Sequence, residues 1–311
     1  MKTKQLGRLA NEYRAVIILI VFTVTLGVIN PRFLHVGNVT NVLNQTSINA
    51  LLAAGLTIVI LTGGIDISVG SILAFTGATA AILMSHDVNV VLVVLLALLI
   101  GVVAGGFNGL FISRWNLQPM IVTLATLSIF RGATYLITNG SPVSVRSSLF
   151  RTIGGGKIFG VVPVPVVIMI VLFAVGHYVL TRTPFGRHIY AVGGNEEAAF
   201  LSGVSVTKTK LKAYVLSGAL AAIAGLILTS RLASAQPLAG QGYELDAIAA
   251  AVIGGTSLKG GQGRILFTII GALIIGMLNN ALNLMDVSSY YQTVIKGLVI
   301  LAAVLLDARS K

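Results

Sequence analysis

Apolar runs with almost no charge recur from one end of this chain to the other, at the length a lipid bilayer demands. A spanning helix needs about 17–25 predominantly apolar residues, and ten candidate spans are expected at about 15–29, 47–62, 69–85, 88–112, 119–138, 162–180, 213–230, 245–256, 265–282 and 290–306. The eighth is short. It is expected either to borrow residues from the preceding Gln241-Gly242-Tyr243 or to be a broken helix. In hydrocarbon the backbone polar groups must be satisfied internally, so the expected fold is an all-α polytopic membrane protein. Composition agrees: 56% hydrophobic and 10% charged residues, with a mean hydropathy of +0.95, cannot furnish the surface of a soluble domain.

The formal net charge is +12. The cations lie in short loops rather than in one stripe, which argues against a nucleic-acid partner. They report orientation instead. With the N-terminus inside and ten alternating spans, inside loops hold 14 of the 21 Lys and Arg residues and outside loops hold 5. The remaining two, Arg131 and Lys296, fall within spans. The positive-inside bias therefore predicts a multi-pass membrane protein with both termini in the cytoplasm. No small-x-small cleavage site follows the first apolar run, which ends in Ile29-Asn30-Pro31-Arg32, so a retained first span is expected rather than a signal peptide. One membrane domain over 1–311 is expected, with 181–212 as a cytoplasmic loop inside it. Energy-coupling and solute-capturing domains are then expected on other chains.

Several chemistries are excluded. The chain has no cysteine, and its four histidines (His35, His86, His177, His188) form no ligand spacing. The nearest approach to a P-loop, Gly255-Thr-Ser-Leu-Lys259-Gly260-Gly261, lacks the Lys after the second Gly. No nucleophilic triad or HExxH stands out. The chain is not expected to be an enzyme or to hold a cofactor.

Four polar features remain. In 181–212, Asn195 suits an N-cap, Glu196 and Glu197 suit the first turn of a helix, Ala198, Ala199, Phe200 and Leu201 continue it, and Gly203 can end it. Such a helix either lies on the membrane interface or serves as a docking knob for a partner. The turn Thr62-Gly-Gly-Ile-Asp-Ile-Ser-Val-Gly-Ser71 places Asp66 between two spans, either capping the next helix or supporting a gate. Arg131 and Lys296 need buried partners, for which Asp66, Glu244, Asp246 and Asp286 are the candidates. Amides and hydroxyls cluster near span ends. Gln45, Asn279, Asn280 and Gln292 are the favoured residues for a path that exchanges water for transient hydrogen bonds to a neutral polyhydroxylated solute. Glycines are expected mainly at helix contacts, including Gly101-Val-Val-Ala-Gly105 and the stripe Ser217, Ala221 and Gly225.

Read in order, these segments resemble the permease subunits of ATP-driven bacterial sugar importers, in the branch for ribose, xylose, arabinose and galactose. The carriers are Asn44-Gln-Thr-Ser-Ile-Asn49, Leu61-Thr-Gly-Gly-Ile-Asp-Ile-Ser-Val-Gly-Ser71, Thr138-Asn-Gly-Ser-Pro-Val143 and Gly193-Gly-Asn-Glu-Glu-Ala-Ala-Phe-Leu-Ser-Gly203. Arg231-Leu-Ala-Ser-Ala-Gln-Pro237, Gly242-Tyr-Glu-Leu-Asp-Ala-Ile-Ala-Ala250, Gly254-Gly-Thr-Ser-Leu258 and Val287-Ser-Ser-Tyr-Tyr-Gln292 complete a nearly end-to-end match. The resemblance implies a homodimer of permeases in membrane lipid, a cytoplasmic ATP-binding subunit with two nucleotide-binding domains, a periplasmic sugar-binding protein, and ribose as the first expected sugar. Glu197-Ala-Ala-x-x-x-Gly203 is similar to the EAA loop that such importers insert into their ATPase, although no Ile-x-Leu-Pro follows. The ten-span arrangement is similar to the vitamin B12 importer. The competing expectation, an ion-coupled secondary transporter, would need carboxylates within the spans. The chain has nine acidic residues, most of them in loops.

Overall fold

Apolar periodicity turns into helices almost throughout the computed structural model, which describes residues 14–309. In chain order the helices are α1 (Arg14–Ile29), α2 (Val36–Leu61), α3 (Val69–Ser85), α4 (Val90–Arg114), α5 (Pro119–Thr138), α6 (Ser148–Gly155) and α7 (Val164–Arg182), then α8 (Pro184–Gly194), α9 (Glu196–Leu201), α10 (Val206–Leu232), α11 (Tyr243–Ile253), α12 (Ile265–Leu284) and α13 (Ser289–Arg309). Two short antiparallel ribbons complete the fold. β1 (Val143–Ser144) pairs with β4 (Ser234–Ala235), and β2 (Lys157–Ile158) pairs with β3 (Val162–Pro163). Lys2, Lys4, Arg8 and Lys311, which enter the orientation count, and both chain termini lie outside the described residues.

Helices α2, α4, α5, α7, α10 and α12 are long and apolar enough to cross a membrane, and α1, α3 and α13 are shorter apolar helices. The fold is that of an all-α polytopic membrane protein. Its core surrounds α2, whose residues from Thr46 to Leu61 are buried almost without a break. Helices α10, α11 and α12 pack on α2, and α3 is held between α5 and α10.

Three boundaries differ from the hydropathy reading, each for a physical reason; one is α10, which starts at Val206 rather than near 213 because Lys208, Lys210 and Lys212 depress hydropathy without breaking a helix. Helix α2 begins at Val36 rather than near 47, because polar residues shift an apolar window without ending a helix. The His35 imidazole accepts from the Gly37 N–H and caps that start. The eighth apolar segment, expected at 245–256, forms only the 11-residue α11. At 1.5 Å per residue that is about 16 Å, half of a bilayer core. Gly254 and Gly255 stop it, the latter with φ +85°, and the chain turns back through residues 256–264 into α12.

Small residues set the closest helix contact. Gly101, Gly105 and Gly109 of α4 lie against Tyr214, Gly218 and Leu211 of α10, backbone to backbone. On the other faces of α10, Ser217 meets Gly55 of α2 and Gly225 meets Leu73 of α3. A Cβ on Gly218 would stand 2.8 Å from the Gly105 nitrogen, whereas one on Gly132 would meet nothing within 4 Å. Gly218→Leu is therefore expected to cost at least about 3 kcal/mol by overpacking. Gly132→Leu should be tolerated. Thermal melts of the two variants, purified in detergent, check the contrast.

Candidate functional site

Three helices each present two polar side chains one turn apart, the spacing that puts them on one face. They are Gln45 and Asn49 of α2, Asn279 and Asn283 of α12, and Gln292 and Lys296 of α13. Together with Thr46, Arg231 of α10, and Tyr243 and Asp246 of α11, they line a cavity of about 330 Å³. That volume is at the small end of ligand sites, about 300–1,000 Å³. Asp246 is buried, and its Oδ2 accepts from Lys296 Nζ at 3.1 Å and from Asn279 Nδ2 at 3.3 Å. Lys296 thus finds its counter-ion among the candidates named from sequence. Arg131 donates to the Pro237 and Ala239 carbonyls, at 3.0 and 2.7 Å, and Glu244 is the candidate carboxylate near enough to act on its charge.

Thr46 Oγ1, Asn49 Oδ1 and Asn279 Oδ1 are buried and have no hydrogen-bond partner among the described residues. An unpaired buried polar atom costs about 1–3 kcal/mol. These atoms are sealed in helix contacts behind the wall, as are Asn44 Oδ1 and Thr256 Oγ1 elsewhere; what the cavity offers a solute is its lining of amides, a hydroxyl and an ion pair. Lys296 and Asp246 neutralise each other, while Arg231, whose guanidinium donates to Asn41 Oδ1 at 3.3 Å, leaves one positive charge on the wall.

Of the residues favoured from sequence, Gln45, Asn279 and Gln292 are brought together in this cavity. Asn280 faces elsewhere, exchanging two 2.9 Å amide hydrogen bonds with Asn38 that tie α12 to α2. Asp66 sits far away, fully buried in the turn between α2 and α3. Its Oδ1 accepts from the Ser68 N–H at 3.1 Å and the Ser68 hydroxyl at 2.6 Å, and its Oδ2 accepts from the Ser217 hydroxyl at 2.9 Å. Asn108 of α4 donates to Ser68 Oγ at 2.8 Å. Asp66 therefore binds the start of α3 to α4 and α10. Ser217 and Arg231 are 14 residues apart on α10, about 21 Å, so this knot and the cavity occupy opposite ends of the bundle. Asn49, Arg231 and Tyr243 were not singled out as site residues from sequence. The four-residue spacing from Gln45 to Asn49 was a usable signal, but α11 and the end of α10 are brought there only by tertiary packing.

The segment 181–212 lies at the Asp66 end. Pro184 opens α8, where the Thr183 hydroxyl accepts from the Gly186 N–H. Asn195 caps α9, its Oδ1 accepting from the Ala198 N–H at 2.9 Å. Glu196 and Glu197 stand in the first turn, and Glu196 pairs with Lys210 at 2.6 Å. Ala199 is buried against the fold. The helix stops at Leu201, and Gly203 takes φ +83°. Phe200 and Leu201 are 68% and 78% exposed, so two large apolar side chains are displayed on a rigidly capped turn. Burial raises the pKa of Tyr190 on α8, with Arg264 opposing, so its hydroxyl keeps its proton and donates to the Gly263 carbonyl at 2.9 Å.

An apolar helical bundle with a polar cavity at one end and a projecting capped helix at the other defines the class: an integral membrane protein built to handle a polar solute. A family model described as "Branched-chain amino acid transport system / permease component" matches residues 38–304, and the chain belongs to this family of permease components. It is 53% identical over 307 residues to the ribose import permease protein RbsC of Haemophilus influenzae, covering 97% of this chain and 95% of the relative. It is 52% identical over 293 residues to the protein of that name from Bacillus subtilis, covering 94% and 91%. It is 41% identical over 299 residues to the D-allose transport system permease protein AlsC of Escherichia coli, covering 96% and 91%. No solved structure matches the chain.

Proposed function

We propose that this chain is the membrane-spanning subunit of an ATP-driven importer of a neutral sugar, with ribose as the solute, in the bacterial inner membrane. The observation that carries the reading is the cavity lined by Gln45, Asn49, Asn279, Asn283 and Gln292 at the end of the bundle away from α8 and α9. High identity to ribose import permeases, against lower identity to the allose permease, supports ribose as the sugar. Both termini and the 181–212 loop face the cytoplasm, where α9 docks on an ATP-binding subunit with two nucleotide-binding domains. Asn195, Glu196, Glu197, Ala198, Ala199 and Gly203 shape that contact. A periplasmic sugar-binding protein delivers ribose to the opposite end. Two copies of the permease form the working unit, and cross-linking in native membranes should trap that dimer.

Transport follows by alternating access. ATP binding favours one of two shapes through its differential contact with each. Gln45, Asn279 and Gln292 exchange the hydroxyls of the sugar for water. The hydrogen bonds of Asp66 keep the cytoplasmic end shut while the cavity faces the other way, and Asn280 holds α12 on α2. Release inside requires weak binding in the membrane. Titration of the purified permease alone with ribose should therefore give a Kd near millimolar, about −4 kcal/mol. Saturable submicromolar binding without the binding protein would overturn the proposal in favour of a self-sufficient transporter.

A further inference from the structure

The turn after α2 and the loop after α11 meet the end of α8 at one crowded point. The Gly261 N–H donates to the Leu61 carbonyl at 3.0 Å. A Cβ on Gly261, which has φ +68°, would stand 2.7 Å from Gly194, and one on Gly260, which has φ +88°, would stand 2.9 Å from both the Gly193 carbonyl oxygen and the Gly63 nitrogen. Only bare backbone fits there. The Tyr190 hydroxyl adds a hydrogen bond from α8 to Gly263. The loop is in turn fastened to α11: the Thr256 N–H donates to the Ala251 carbonyl at 2.9 Å, and the Ser257 N–H donates to the Gln262 carbonyl at 2.9 Å. Eight residues up α11 from Gly254, about 12 Å, stands Asp246, which holds Lys296 and Asn279 in the cavity wall.

We infer that α11 is a lever joining the α8–α9 segment to the polar cavity, gripped through Gly193, Gly260, Gly261 and the Tyr190 hydroxyl. The inference rests on α9 being the ATPase contact. Its length suits the task. Helix α11 ends at Gly254, about 12 Å from Asp246, and meets α8 through a loop whose ends are hydrogen-bonded to each other. A displacement of α8 moves the loop, α11 and the start of α12 together, because Ala250 and Gly254 lie backbone to backbone against Gly271 and Phe267 of α12. It thereby shifts Asp246 relative to Lys296 on α13, changing the geometry of the wall that faces the sugar. Tyr190 and the glycines are positioning residues; they touch no solute.

The chain has no cysteine, so Leu232→Cys, a cavity-lining position outside the residues that contact the sugar, gives one reporter thiol per permease. The complex with the ATPase subunit is purified in nanodiscs, and the rate of thiol modification by a charged methanethiosulfonate reagent is measured without nucleotide and with a trapped ATP analogue. The reporter alone should show a clear contrast between the two states. Tyr190→Phe, which removes one hydroxyl and no volume, should shrink that contrast by about fivefold, the worth of one hydrogen bond, while the ATPase still copurifies. Gly261→Ala should shrink it further. An unchanged contrast in both variants, or no contrast in the reporter protein with the ATPase bound, would overturn the lever. Failure of the ATPase to copurify even with the reporter protein would sink the coupling assignment itself, and the lever with it.

Discussion

Lys296→Met should abolish ribose uptake and lower the apparent melting temperature, and adding Asp246→Asn should restore the melting temperature but not the uptake. The reason lies in what each change leaves behind. Lys296 is 30% exposed and Asp246 only 3%, so removing the lysine strands a buried carboxylate with Asn279 as its remaining donor. Breaking a buried pair from one side costs about 3–5 kcal/mol, and partial exposure of the lysine puts this case near 3. Neutralising both partners removes the stranded charge, which is why replacing a whole buried pair is often close to neutral. Uptake should stay lost if the cavity is the sugar path, because its wall is altered in both proteins. If the double variant transports normally, the pair is scaffolding and the cavity is not the sugar path.

Replacing Phe200 and Leu201 together with Asp should release the ATPase subunit while leaving the permease folded. Both side chains are bare in the isolated chain, so the folded state loses little, whereas a docked groove would lose two apolar anchors and gain two desolvated charges. Hot-spot anchors carry about 2 kcal/mol each, so the pair is worth about 4 kcal/mol, a near thousandfold loss of affinity. Glu197→Lys, or a bulky residue at Gly203 with its φ of +83°, should act in the same direction through the helix dipole and the cap. By contrast, the Glu196–Lys210 pair is half exposed on the glutamate side and contributes at most about 1 kcal/mol. Copurification of the ATPase with each variant measures the effect. Retention of the ATPase by the double aspartate variant would remove α9 from the contact.

Much of this fold was legible because a bilayer imposes one rule on every spanning segment, and apolar length expresses that rule directly. The cap at Asn195 and the left-handed glycine at 203 were legible for a local reason: both depend on side-chain chemistry within a single turn. The half-length of α11 was only hinted at by its short run, since a stop at Gly254-Gly255 is also compatible with a bent full span. The extension of α2 back to Val36 was hidden, because its first turns carry asparagines that a hydropathy window discards. At the cavity, composition pointed to amides and hydroxyls but not to their partners. Asn279 and Asn280 are neighbours in sequence and look equivalent there. A helix turns about 100° per residue, so one lines the cavity and the other faces Asn38. Asp66 was open to a capping or a gate-supporting role; its Ser68 partner is local and legible, whereas its Ser217 partner on α10 is a contact that only packing could reveal.

The most direct measurement is ribose uptake into proteoliposomes holding this chain and its ATPase subunit, with the periplasmic binding protein on the outside. Uptake should require internal ATP and the external binding protein together, and should be unaffected by collapse of ion gradients. Uptake by the chain alone, driven by a proton or sodium gradient and indifferent to ATP, would contradict the account.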